Sequence, residues 1–132
     1  MSVFQPTLLA GGNISPCRIC KMSGEWGVIQ ATDGNTEPCG ISGPWTRYAP
    51  GTSFDTGYIA AAGQDCPVYT DGEGAMVEAG AAITGGNYIM SDANGRAITC
   101  TAGSYYVGQA LESAAGSGNR IRVKLQRGFI HA

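Results

Sequence analysis

Histidine is almost absent from this chain: His131, the penultimate of 132 residues, is the only one. A serine or cysteine nucleophile needs a base beside it, and a terminal histidine is a poor candidate for that role. Charge is also scarce. Charged residues make up 14% of the sequence, against about a quarter in an average globular chain, so the surface is weakly charged and suited to being covered. No stretch approaches the roughly 20 apolar residues of a membrane span. MSVFQPTLLAGG lacks the basic start and long apolar core of a secretory signal, so synthesis in a cytoplasm and no membrane partner are expected. Gly72-Glu73-Gly74 and Gly85-Gly86-Asn87 neither continue into a lysine nor open a long helix, which excludes a phosphate-cradling loop.

The five cysteines, Cys17, Cys20, Cys39, Cys66 and Cys100, are an odd number without an export signal. They read as free, buried thiols rather than a disulfide framework. Cys17 and Cys20 have the spacing of a zinc knuckle or a redox dithiol, yet no second close pair of ligands accompanies them. A small metal- or ligand-binding β-barrel using Cys17 and Cys20 is the alternative function they keep open. Asp55, Asp65, Asp71, Glu73 and Glu78 crowd the middle of the chain, and in glycine-rich turns such acids read as solvated turn formers. We assign no catalytic residue, cofactor or metal, and expect no enzyme.

What the sequence has is glycine, 21 residues of it, about twice the usual share. Short β-type runs alternate with glycine, asparagine and aspartate. Strands are expected at 17–22, 26–31, 39–41, 87–90, 96–101 and 106–110. Asn94-Gly95 between two such runs is the strongest short-range hairpin signal, and Asp71-Gly72-Glu73-Gly74 reads as a second link of that kind. Along Arg120-Ile121-Arg122-Val123-Lys124-Leu125 strict alternation places three apolar residues on one face and three cations on the other. A single helical turn is expected at 109–115, closed by Gly116.

The fold class is therefore all-β: a small β-sandwich or β-barrel with glycine-rich hairpins, at most one short helix and an extended N-terminal arm. Residues 1–13 form that arm, and 14–132 one domain of two related halves, 14–78 and 79–132. At an offset of about 68 Met22-Ser23 falls on Met90-Ser91, Ile29 one place from Ile98, and Gly40 on Gly108. Residues 1–92 carry three basic and nine acidic side chains, and 93–132 five basic and one acidic. This asymmetry helps identical subunits or one partner dock in register. No basic face with interleaved aromatics points to nucleic acid.

The stretch Val77 to Ala97, then Val107-Gly108-Gln109-Ala110-Leu111-Glu112, then Ile121-Arg122-Val123-Lys124-Leu125 resembles the capsid cement, or head decoration, proteins of tailed bacteriophages. The resemblance implies a virion structural protein on the outer surface of the icosahedral head. It would be a homotrimer that clamps neighbouring subunits of the major capsid protein; a head-fibre or tail component is the further alternative. Interface candidates are Phe4, Leu8 and Leu9 in the arm, Trp45, Arg47 and Tyr48 in the Pro-rich loop 43–51, and the cations Arg120, Arg122 and Lys124. Deleting residues 2–12 is expected to weaken attachment and leave the fold intact.

Overall fold

The computed structural model describes residues 8–47 and 57–131. Among them are eleven strands and no helix: β1 Leu8–Ala10, β2 Ile19–Met22, β3 Gly27–Gln30, β4 Gly40–Ser42, β5 Asp65–Cys66, β6 Val68–Tyr69, β7 Gly74–Glu78, β8 Tyr88–Ser91, β9 Ala97–Thr99, β10 Tyr105–Ala110 and β11 Arg120–Phe129. The first sheet runs β5-β1-β3-β2-β4-β6 and the second β7-β11-β10-β8-β9. Its two edge strands, β5 and β6, are separated only by Pro67, so the first sheet rolls round until its edges meet in one kinked segment. The second sheet is more open, and a single parallel bridge, Ala79 to Ala97, joins its edges. The first half follows the barrel alternative.

Local chemistry explains most elements. In β11 Ile121, Val123 and Leu125 are buried while Arg120, Arg122 and Lys124 face solvent, as the alternation requires. The hairpin β8–β9 turns on Asp92, whose Oδ1 accepts from the N–H groups of Asn94 and Arg96 at 2.8 and 2.9 Å, with Gly95 at φ 75°. Aspartate favours this geometry because its short side chain satisfies the turn's own amides.

Three expectations fail on register. The turn at 71–74 exists, with Gly72 at φ 88°, but it leads from β6 of the first sheet to β7 of the second and is a crossover instead of a hairpin. No helical turn forms at 109–115: Gln109 and Ala110 complete β10, and Ala114 exchanges backbone hydrogen bonds with Ile83. Ala110 and Ala114 are needed in the core at cross-strand positions, which overrides their local preference. The arm, finally, is not free from residue 8 onward, because β1 pairs with β3 in parallel and with β5 antiparallel.

The two halves share one register. Cys20↔Gln30, Lys21↔Ile29 and Met22↔Val28 recur as Ile89↔Thr99, Met90↔Ile98 and Ser91↔Ala97. Ile19↔Ile41 and Cys20↔Gly40 recur as Tyr88↔Gln109 and Ile89↔Gly108, and Ser42↔Val68 as Ala110↔Val123. Leu8↔Cys66 and the bridge Ile14↔Ala60 return as Val77↔Ile121 and Ile83↔Ala114. The first hairpin is thus offset by 69, so Met22 corresponds to Ser91 and not to Met90; Gly40 does fall on Gly108. The match also begins earlier than 14 and 79, at Leu8 and Val77.

Glycine at Gly40 and Gly108 has one cause in both halves: an added Cβ would collide with the carbonyl oxygen of Tyr69 in the first and of Lys124 in the second. The interiors correspond as well. Leu8, Ala10, Ile14, Cys20, Val28, Cys39, Ala60 and Cys66 fill the first core, and their register partners Val77, Ala79, Ile83, Ile89, Ala97, Val107, Ala114 and Ile121 lie in the second.

Candidate docking surfaces

The cysteines are placed by that correspondence. Cys20, Cys39 and Cys66 stand where the second half has Ile89, Val107 and Ile121, and burial pushes the Cys39 and Cys66 thiols up to about 11. Burial raises Cys20 as well, reinforced by the neighbouring Cys39 and Cys66. These are protonated, apolar core side chains. Cys17 adopts φ 58° ahead of β2 and, although buried, belongs to neither core cluster. No group of three or more His, Cys, Asp or Glu among the described residues is arranged to hold a metal ion.

Of the interface candidates, Phe4 and Tyr48 lie outside the described residues. Leu8 is buried in the first core, so its apolar surface is spent inside the chain and it is withdrawn as a contact residue. Leu9, its neighbour in the strand, points the other way and is 48% exposed. Trp45 is 47% exposed on a loop tethered by Arg47, which donates from Nη2 to Asp65 Oδ1 at 2.8 Å and from Nη1 to the Asp65 carbonyl at 2.9 Å. That guanidinium holds the Asp65 carboxyl below its ordinary range.

The cations of β11 separate by role. Arg122 Nε reaches Glu112 Oε2 at 2.7 Å, lowering the Glu112 pKa, and Arg120 Nη1 donates to the Pro44 carbonyl at 3.4 Å. Lys124 is exposed in a row with Gln109 and Tyr88 across three strands. The fold therefore disperses the predicted contact residues: Trp45 and Arg47 lie on one loop, Leu9 on β1, Lys124 on the outer side of the second half.

Of the exposed aromatics that sequence reasoning missed, two stand at positions the repeat singles out. Trp26 is 53% exposed at φ 59° in the β2–β3 turn. Tyr88 is 42% exposed, its ring 4.4 Å from that of Tyr106. Both sit inside runs that read as ordinary strands, and only the repeat, aligned to the residue, marks them: they occupy the positions of Gly95 and Ile19, which are covered in the join between the halves.

That join is polar at its rim and apolar within. Glu78 Oε2 meets Arg18 Nη2 at 3.1 Å and Arg96 Nε at 2.7 Å, the second a charge contact whose N–H is not aimed at the carboxylate. Arg18 and Gln30 both donate to the Asn94 carbonyl, at 2.8 and 2.7 Å. Ile19, Ala31 and Ile41 of the first half are fused into the second core, with Tyr69 packed against it.

Residues 52–125, more than half of the chain, match the family model described as phage cement protein. The chain belongs to that family. This cement protein is accordingly a structural component of the phage virion, associated with the capsid. The matched stretch takes in all of the second half down to Leu125 and, of the first, β5 and β6. No curated protein matches the sequence. Among solved structures, the head fiber gp8.5 N base of bacteriophage phi29 shares the fold, with a TM-score of 0.51, 91% of each chain covered and 20% identity.

Proposed function

We propose that this cement protein binds the outer surface of the assembled icosahedral head as a homotrimer and stabilises contacts between major capsid protein subunits. The family match carries the reading. The placement of side chains supports it: thiols and acids are absorbed in cores, turns and ion pairs, while large apolar groups such as Trp45 and Leu9 remain outside. Large aromatics dominate interface energetics. A ligand that binds the shell and not its separated subunits stabilises the shell by about 2.7 kcal/mol per site at a hundredfold excess over Kd.

The reading is tested by adding purified protein to heads that lack it. Co-sedimentation, external density on the lattice and a higher temperature of head disruption are expected, and Trp45→Ala should lower occupancy. Heads that gain neither bound protein nor heat resistance would refute it. The fold shared along nearly the whole chain with a head fiber base favours one second reading, a fibre or tail component, which density at fibre or tail positions alone would establish. No catalytic role enters either reading. Deletion of residues 2–12 is no longer a clean probe, because it removes β1 from the first core.

A further inference from the structure

The join between the halves has a direction. The row Ile19, Ile41 and Tyr69 crosses β2, β4 and β6 in register, and its outer side enters the second half beside Glu78 and Gly95. There Glu78 N–H donates to the Cys17 carbonyl at 2.9 Å, and Ile19 N–H to the Gly95 carbonyl at 2.7 Å. The shared register builds the same two surfaces once more, and both are uncovered. Tyr88, Gln109 and Lys124 form the counterpart of the row, on the second half. Leu9 and Trp26 take the places of Glu78 and Gly95 on the first half, and both are exposed.

Trp26 strengthens the point. A bulky residue at φ 59° is an outlier, where the corresponding Gly95 is not, and an exposed outlier of this kind points to a role outside its own fold.

We propose that a second copy of this chain docks head-to-tail, the Tyr88–Gln109–Lys124 row of one copy against the Leu9–Trp26 pole of the next. The contact is a looser version of the intramolecular join. Leu9 N–H already donates to the Trp26 carbonyl at 2.8 Å, which shuts the seam that Cys17 and Ile19 enter in the second half, so side chains meet without strand insertion. Glu25 beside Trp26 supplies one carboxylate for Lys124 of the row, in line with the acidic first 92 residues and basic remainder of the chain. A contact between two different patches closes into a ring or runs on as a filament, and a ring of three is the trimer of the proposed function. The inference rests on that trimer and not on head binding.

Sedimentation and light scattering of free protein, without heads, test it. Wild type should form closed trimers, and Trp26→Gly and Tyr88→Asp should each be monomeric with unchanged far-UV circular dichroism. Glycine adopts positive φ freely, so the first variant keeps its fold. Because each variant retains the surface the other lacks, an equimolar mixture should give 1:1 dimers and nothing larger. Monomeric wild type overturns the proposal, as do oligomers that persist in both variants or a mixture that stays monomeric. Wild-type monomers that still coat heads would overturn the ring while leaving head attachment standing.

Discussion

The first and second halves of this chain pair their strands residue for residue, yet one closes its seam and the other holds it open. In the first, Leu9 N–H reaches the Trp26 carbonyl and the sheet rolls up on itself. In the second, Glu78 N–H turns instead to Cys17 and the Gly95 carbonyl accepts from Ile19, so a strand of the first half lies in the opening. Two substitutions within a common register account for this. Gly95 leaves room for the incoming backbone, the Ile19 and Ala31 carbonyl oxygens lying 3.2 and 3.3 Å from where its Cβ would be, and Glu78 supplies a carboxylate that draws Arg18 across. Two halves of one strand register thus differ at a single seam, where the backbone bond that closes the first is redirected across the joint in the second.

The strongest test attacks what the halves have in common. Gly40→Ala and Gly108→Ala each drive a methyl group into a cross-strand carbonyl, and Gly40 also sits at φ 156°. Gly108→Ala should cost about 3 kcal/mol, the upper range for overpacking, and Gly40→Ala about 4 kcal/mol with backbone strain added, each read as a shifted midpoint of chemical denaturation. Gly12→Ala, with nothing within 4 Å of the added carbon, should leave that midpoint in place.

Next in size is the exchange of the residues that distinguish the seams. Glu78→Leu gives the second half the first half's residue and strands Arg18 and Arg96 without their carboxylate. Breaking a largely buried pair costs about 3 kcal/mol, and amide exchange at Cys17 and Ile19 should rise more than exchange within β11. Leu9→Glu, on an exposed site, should hardly alter stability. Equal losses in the two variants would mean that the ion pair is not what holds the joint.

The all-β class, the Asn94-Gly95 hairpin and the two-faced β11 were legible because each is written in local residues: turn formers at fixed places and strict alternation. The path of the chain was not. Asp71-Gly72-Glu73-Gly74 has hairpin composition, and whether it joins neighbours in one sheet or passes to another depends on where β6 and β7 find partners tens of residues away. The same holds for Gln109 to Ala115, whose helical leaning yields to the pairing of Ala114 with Ile83. The repeat was visible, but at an offset short by one through the first hairpin, and in a β-structure one residue exchanges the two faces. That single step concealed Trp26 as the partner of Gly95 and Tyr88 as the partner of Ile19, and with them the uncovered surfaces.

The thiols sharpen the comparison of the two cores. Leu8 and Val28 exceed their counterparts Val77 and Ala97 in volume, whereas Cys20, Cys39 and Cys66 fall short of Ile89, Val107 and Ile121, so the larger aliphatics offset part of what the thiols leave unfilled. Cys39→Val with Cys66→Ile should cost less than about 1.5 kcal/mol at pH 7, and Cys20→Ile alone about 1–3 kcal/mol, part of it recovered by adding Val28→Ala. With folded-state values near 11 for Cys39 and Cys66 against 9.0 in the free thiol, the protonated form is favoured on folding. The associated stability is complete below about pH 9 and lost as pH rises toward 11, a loss on the order of 2–3 kcal/mol for each of the two thiols. Denaturation curves between pH 8 and 11 should show this decline in wild type and its reduction in the Cys39→Val, Cys66→Ile variant; identical declines would place the titrating groups elsewhere.

The smallest expected effect has an unusual sign. An L-residue in the left-handed region is destabilised by about 1–2 kcal/mol, and Trp26 is held there at φ 59°. Glycine removes that strain but loses about 0.5–1 kcal/mol through the greater freedom of the unfolded chain. Trp26→Gly should therefore leave the isolated fold unchanged or more stable by up to about 1 kcal/mol, a rise of a few degrees in Tm at most. The measurement must be made at a dilution where copies do not associate, since binding to the folded state raises Tm by mass action. At high concentration the order should reverse, with wild type melting above the variant. A Trp26→Gly protein that melts lower than wild type at every concentration would show that the indole stabilises its own barrel, and the asymmetry between Trp26 and Gly95 would then reflect packing within the chain and not a surface turned outward.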